Sequence, residues 1–313
     1  MSYLWLIMGL AVLIAGGEFL VRGAVGIAKR AKISTLVIGM TVISFGTSAP
    51  ELFVSIGSAL EGNPEIAIGN VVGSNIANIA LVLGITVLIF PIAVDRNSKI
   101  IDWPMMMLAT ILFIAFSWDL QIVFWEGAVL FGILLTFTYL LIRNSRKNNK
   151  IISAEDQSAE DIPKPVLLSV GFTLLGLVGL YFGAEWLIKG AVGIAESFHM
   201  EKRIIGLTVV AFGTSVPELV TSAVAAFKKE TDISIGNLIG SNIFNIMAVI
   251  GVTAMVKTTA VDAEVVASDI WWMALISLSL LPMMIIGKKV GRLKGFMLVS
   301  TYVIYISLII ISG

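Results

Sequence analysis

The sequence predicts an all-α membrane protein with ten transmembrane helices in two inverted five-helix repeats. Three observations carry that prediction. Composition is far too apolar for a soluble domain, one block of sequence is written twice at constant spacing, and a single long polar segment divides the apolar runs five and five.

Of 313 residues, 58% are hydrophobic and 13% charged, with a mean hydropathy of +0.98. Soluble domains carry about a quarter charged residues. The lipid bilayer is therefore the expected partner, and no obligate protein partner is evident. The 21 basic and 21 acidic residues cancel, which removes the electrostatic case for nucleic acid. Cysteine is absent, which excludes disulfides, thiolate metal sites and cysteine nucleophiles. The N-terminal apolar run lacks a basic leader region and a small-residue cleavage site, so it reads as a retained span.

Breaking the hydropathy at polar clusters gives spans at about 3–28, 35–60, 65–92, 103–118, 120–142, 166–195, 204–227, 232–256, 269–286 and 293–311. Each is close to the ~20 residues that cross roughly 30 Å of hydrocarbon. The fourth is the shortest; Asp102 and Asp119 are expected to bound it, with Trp103 and Trp118 as interfacial anchors. The polar segment from Arg143 to Pro165 is too short and too polar for a domain of its own. It divides the chain into a first repeat, 1–142, a linker, 143–165, and a second repeat, 166–313. Because five is odd, the second repeat enters the membrane from the opposite side, with the site expected where the halves meet. Most of the 21 basic residues, among them Lys29, Arg30, Arg96, Arg143, Arg146 and Lys228, share one side if the N-terminus is outside. The positive-inside rule then places the linker in the cytoplasm and both termini outside. The expected location is the cell membrane.

The duplicated block spans 39–84 and 206–251. Its first part reads Gly46-Thr47-Ser48-Ala49-Pro50-Glu51 and returns as Gly213-Thr214-Ser215-Val216-Pro217-Glu218. Its second part, Gly69-Asn70-Val71-Val72-Gly73-Ser74-Asn75-Ile76-Ala77-Asn78, returns as Gly236-Asn237-Leu238-Ile239-Gly240-Ser241-Asn242-Ile243-Phe244-Asn245. Every residue lies 167 positions after its counterpart. Beyond the core, Glu18 matches Glu185 and Arg22 matches Lys189 at the same offset, each a Glu-to-basic pair four apart that suits a structural role on a helix.

Pro50 has no amide hydrogen for the Gly46 carbonyl and its ring crowds that carbonyl, so the helix is expected to open just before Glu51; Pro217 does the same at Gly213. A break at membrane depth persists only where the freed groups face protein, water or an ion. Freed carbonyls, the hydroxyls of Thr47 and Ser48 and the Glu51 carboxylate form a set of hard oxygen donors, suited to Na⁺ and Ca²⁺ rather than zinc or copper. Asn70, Ser74 and Asn78 are four apart and share a helical face, as do Asn237, Ser241 and Asn245. Gly69 with Gly73, and Gly236 with Gly240, are small-x-x-x-small pairs expected to bring these helices close to a neighbour. A lone Ser or Asn in a membrane helix is more often packing glue than ligand. A glutamate beside a proline break, twice, has no such ordinary role, because an ionisable group there is costly.

These motifs resemble the two α-repeats of sodium/calcium exchangers in the cation/calcium exchanger superfamily, and ten spans around a central cytoplasmic linker match that architecture. The resemblance implies that Glu51 and Glu218 are the main cation ligands. It implies that Thr47, Ser48, Ser74 and Asn78, with Thr214, Ser215, Ser241 and Asn245, complete neighbouring Na⁺ and Ca²⁺ sites. It also implies alternating access in which spans one and six slide past spans two, three, seven and eight, with no cofactor. Several exchangers, including potassium-dependent ones, carry Asp at the position of Asn245; Asn there argues against potassium co-transport.

The expected function is therefore electrogenic exchange of Na⁺ for Ca²⁺. Proton-coupled exchange of Ca²⁺ or another divalent cation would use the same glutamates as proton acceptors, and a passive channel would also want oxygen-lined half-helices. Paired prolines and inverted halves favour alternating access over a permanent pore. Walker-A, His-Glu-x-x-His and serine or aspartate protease patterns are all missing from the sequence, so an enzyme has no support. Single cysteines at Ser153 and Ala263 should react with a membrane-impermeant thiol reagent from opposite faces, Ser153 from inside. Labelling of both from one face would remove the inverted repeat.

Overall fold

The computed structural model describes residues 1–155, 165–198, 211–287 and 289–312. Among these, eight helices are long and apolar enough to cross a membrane, or nine if Thr35–Thr47 and Ala49–Glu61 are one broken span. Of the expected span 204–227, residues before 211 lie outside the described part; the remainder is a turn, Ala211–Thr214, and the helix Val216–Phe227. The fifth span does not stop at 142 but runs on as one helix, Phe124–Glu155, so the polar linker begins helical.

The chain divides into two compact units, and each draws on both halves of the sequence. One comprises Met1–Thr47 with Phe137–Asn237, the other Ser48–Thr136 with Leu238–Gly313.

The first unit is built on the helices Ser2–Ala31 and Val166–Ser197, which pack along their whole length. Glycine decides how closely. Gly9, Gly16 and Gly23 recur every seven residues, as do Gly176, Gly183 and Gly190, so each set forms a stripe along one helix face. A Cβ at Gly9 would sit 2.4 Å from the Leu187 nitrogen, at Gly16 2.8 Å from the Leu180 nitrogen, and at Gly23 2.5 Å from the Thr173 nitrogen. Partners descend as positions rise, so the helices are antiparallel. In lipid no hydrophobic effect drives helices together, and backbone contact through small residues takes its place. Buried Leu13, Leu20, Val21, Ala24 and Leu180 fill the space beside the seam. Glu18 pairs with Arg22, as the four-residue spacing suggests, and also with Lys228 at the end of the Val216 helix. Lys189, the counterpart of Arg22, instead lies over the Trp5 ring at 4.4 Å, a cation–π contact.

The second unit contains the helix Pro64–Ile89 and most of Thr231–Val256, the two spans most enclosed by protein. Two short antiparallel ladders tie its loops. Ile92–Ala93 pairs with Lys289–Val290, and Gln121–Ile122 with Thr259–Ala260. Thr259 is the 167-residue counterpart of Ile92, and Lys289 that of Ile122, so each ladder joins a first-half strand to a second-half one. Close backbone approaches repeat the theme: a Cβ at Gly295 would lie 2.7 Å from the Gly84 carbonyl, and one at Gly127 2.4 Å from that of Gly251.

One expectation fails here. Asp102 does not bound the fourth span; the helix starts at Ser98 and Asp102 is fully buried inside it. The wide turn Ser98–Asp102 continues directly into the Trp103–Phe116 helix, and the Trp103 indole donates to the Ser277 carbonyl at 2.8 Å. Trp118, largely exposed, fits the interfacial role better.

The glycine seam makes a direct prediction. Gly176→Val would drive a side chain into Leu20 main-chain atoms only 2.4–2.6 Å from the new Cβ. Over-packing of this kind typically costs about 1–3 kcal/mol, and a marked drop in the thermal unfolding midpoint of purified protein is expected. Gly132→Ala, where a Cβ meets nothing within 4 Å, should leave that midpoint nearly unchanged.

Candidate functional site

Both duplicated motifs interrupt a helix, but not where the prolines alone suggest. The first helix segment ends at Thr47 and the next starts at Ala49, with Ser48 at φ −95°, ψ 6° between them. The second copy breaks at Ser215, at φ −90°, ψ 1°. Pro50 and Pro217 therefore lie in the first turn of a restarted helix, where a missing N–H costs nothing and the fixed φ is already helical. The break comes at Ser48 rather than directly before Glu51 because proline initiates the new helix. Glu51 and Glu218 fall in those first turns, where exposed N–H groups and the helix dipole favour negative charge. Both carboxylates are buried, at 2% and 1% exposure.

In the second unit the structure assembles Ser48, Glu51, Ser74, Asn78, Ser241 and Asn245, every one buried. The Ala49–Glu61 helix packs on the Pro64–Ile76 helix and on the segment Asn245–Ile250, and these last two also touch. Ala77–Leu83 and Asn245–Ile250 are π-helical. Such wide turns are rare and cluster at functional sites. In the first unit lie Thr47, Thr214, Ser215 and Glu218, with Thr214 half-buried and the others buried.

Asn70 and Asn237 serve as crossbars. Asn70 donates to the Ser55 hydroxyl at 3.2 Å, and Asn237 to the Ser222 hydroxyl at 3.1 Å, the same pair one repeat later. Asn237 also accepts from Thr47 Oγ1 at 3.2 Å, which commits that hydroxyl's proton. Among the described residues, a Cβ at Gly69 or Gly73 would meet nothing within 4 Å. The neighbouring Ala49–Glu61 helix is met through the Asn70–Ser55 bridge. Gly236 does make the expected contact, 2.7 Å from its would-be Cβ to the Leu36 carbonyl oxygen.

Asn75 and Asn242, quoted in the motif but given no role from sequence, join the two copies. Asn75 Nδ2 donates to the Asn242 main-chain oxygen at 3.3 Å, and Asn242 Nδ2 to that of Asn75 at 3.1 Å. Asn78 Nδ2 donates to Asn242 Oδ1, and Asn245 Nδ2 to Asn75 Oδ1, both at 3.1 Å. Spacing could have placed Asn75 beside Asn78 on a helix, but only tertiary structure shows it crossing to the second copy.

Among the described residues, Asn78 Oδ1, Asn245 Oδ1, Ser241 Oγ and Ser215 Oγ are buried with no hydrogen-bond partner. A buried polar atom left so costs about 1–3 kcal/mol, and native folds carry few of them. Three of these oxygens, on Asn78, Ser241 and Asn245, lie in the second unit and that of Ser215 in the first; all are hard donors of the kind that alkali and alkaline-earth cations take. Among the described residues no three carboxylate, imidazole or thiolate groups converge, so hydroxyl and amide oxygens must make up much of any such shell.

An all-α membrane protein whose duplicated helix breaks collect buried oxygen donors belongs to the class of secondary cation transporters. The chain is a member of the sodium/calcium exchanger family: the family model described as sodium/calcium exchanger protein matches residues 1–143 and 168–311. A candidate antiporter, CaxA, of Alkalimonas amylolytica is 36% identical over 308 residues, 96% of each chain. The sodium/calcium exchanger MaX1 of Methanosarcina acetivorans is 29% identical over 340 residues, 97% of each chain. Among solved structures, the sodium-calcium exchanger NCX_Mj superposes with a TM-score of 0.85 at 31% identity, covering 98% of both chains.

Proposed function

We propose that this protein exchanges Na⁺ for Ca²⁺ by alternating access, in a ten-span inverted repeat with the linker cytoplasmic and both termini outside the cell membrane. The observation that carries the reading is the set of buried, unpartnered amide and hydroxyl oxygens in the duplicated motif, together with a buried glutamate in each copy. Membership of the exchanger family supports it.

Glu51 and Glu218 are the principal ligands in this reading. Two carboxylates balance one Ca²⁺, and two glutamates with hydroxyl and amide oxygens can supply the six to eight donors Ca²⁺ takes. Thr47, Ser48, Ser74, Asn78, Thr214, Ser215, Ser241 and Asn245 complete the Na⁺ and Ca²⁺ sites. Na⁺ needs the same hard donors with less charge, so partial sets of these oxygens serve it. If the Na⁺ moved per cycle carries more charge than one Ca²⁺, exchange is electrogenic, and each net charge is worth about 2.3 kcal/mol per 100 mV.

In proteoliposomes, an imposed Na⁺ gradient should drive uptake of radiolabelled Ca²⁺ with a measurable current. Uptake driven by a pH gradient with Na⁺ inert would instead establish the proton-coupled alternative. Glu51→Gln and Glu218→Gln should each abolish Ca²⁺ flux, since each removes half the charge opposing a divalent ion in a poorly hydrated site. Glu61→Gln, exposed at the end of its helix, should keep near-normal flux. Near-wild-type flux and current in both site variants, inserted normally, would sink the two-glutamate reading.

A further inference from the structure

The four asparagines of the second unit carry more than packing, because their hydrogen bonds can be read in only one direction. A main-chain carbonyl can only accept. The contacts from Asn75 and Asn242 to each other's main-chain oxygens therefore fix which end of each side-chain amide is nitrogen. With those nitrogens committed, the oxygen of Asn242 faces Asn78 and the oxygen of Asn75 faces Asn245. An oxygen must be met by a donor, so Asn78 and Asn245 turn their nitrogens inward. Their own oxygens, Asn78 Oδ1 and Asn245 Oδ1, are thereby left as buried acceptors with no donor among the described residues. All four side chains are at most 1% exposed, so bulk solvent does not reach these oxygens.

We infer that Asn75 and Asn242 are positioning residues that lock the amides of Asn78 and Asn245 with their carbonyl oxygens presented to the cation. The control is crossed: Asn75, in the first copy of the motif, orients Asn245 in the second, and Asn242 orients Asn78. The inference rests on the proposed function, in which Asn78 and Asn245 are ligands. Without the lock, either outer amide can rotate by half a turn and present its NH₂ group, which cannot ligate a cation and whose hydrogens repel it. A simple packing asparagine would have no preference between the two outer residues.

The crossing gives the test its discriminating power. Ca²⁺ and Na⁺ binding would be measured by titration on purified full-length protein, with the unfolding midpoint in ion-free buffer as a separate readout of the fold. Asn75→Leu and Asn242→Leu should each weaken cation binding roughly tenfold, the scale of losing one contact to a charge. In double-mutant cycles, Asn75→Leu should add almost nothing to Asn245→Ala, since Asn75 acts through that residue, while its effect should add fully to that of Asn78→Ala. Asn242→Leu should show the reverse pairing. If the leucine variants do not fold, Asn75→Ser and Asn242→Ser, which lose the reach to the partner amide but stay polar, carry the same cycles. Equal coupling of Asn75 to both outer residues, or wild-type binding in the folded Asn75 and Asn242 variants, would overturn the inference. Wild-type binding in Asn78→Ala and Asn245→Ala would overturn the underlying ligand assignment instead, so the two failures are distinguishable.

Discussion

A helix that stops and restarts at membrane depth exposes main-chain groups that lipid cannot satisfy. Most of what is distinctive in this protein answers that constraint, and does so twice. Ser48 and Ser215 adopt nearly the same bridging backbone conformation, and a proline opens the helix that follows each. An acid in the first turn then meets the exposed N–H end. The break therefore explains the buried glutamate as much as the reverse: a carboxylate that would be prohibitive along an intact apolar helix gains a favourable electrostatic position where a helix begins.

Holding such breaks in place requires helices that pack without help from the hydrophobic effect, and the two units share close glycine approaches but differ in emphasis. In the first, glycine stripes bring two long helices into backbone contact, so the attraction is dispersion between main chains over many turns. In the second, amides hydrogen-bond across the copies, an interaction with strict direction and therefore strict register. The unit joined by directional bonds also holds the larger share of the proposed ligands, among them Glu51, Ser74, Asn78, Ser241 and Asn245.

Much of this was legible in the sequence, for reasons that also explain what was not. Composition and hydropathy are properties of the whole chain, and the described spans fall within a few residues of those expected, except the fifth, whose helix runs on to Glu155. Glu51 and Glu218 stood out because a charge amid apolar sequence needs a reason. Position along the helix was harder: proline chemistry says that a helix is disturbed, and only the local backbone decided that the interruption falls at Ser48, ahead of the proline. The glycines at 69 and 73 look like an interface by spacing, and none of the described residues fills the space beside them. The seven-residue glycine stripes were written plainly but run through segments that lie outside the duplicated block. Asp102 was read as a boundary because hydropathy cannot tell a buried carboxylate from an interfacial one. The asparagine exchange joins positions 167 apart in sequence and could emerge only from the fold.

That exchange gives the asparagine spacing within each copy a mechanical reason. Asn75 and Asn78 are three residues apart, as are Asn242 and Asn245, a little under one turn, so both members of each pair face the other copy. A residue inserted between Ser74 and Asn78 would rotate everything downstream by about 100° and carry Asn78 off that face. Asn242 Oδ1 would then lose its donor, and the amide that it orients would be gone. The harm would not stay in the altered copy. Asn75 would be displaced as well if the insertion preceded it, and with it the acceptor that holds Asn245. In the proposed site each copy of the motif thus orients candidate ligands of the other, so a change of length in one is felt in both. That mutual dependence requires each copy to keep the three-residue spacing of its own asparagines, and both do.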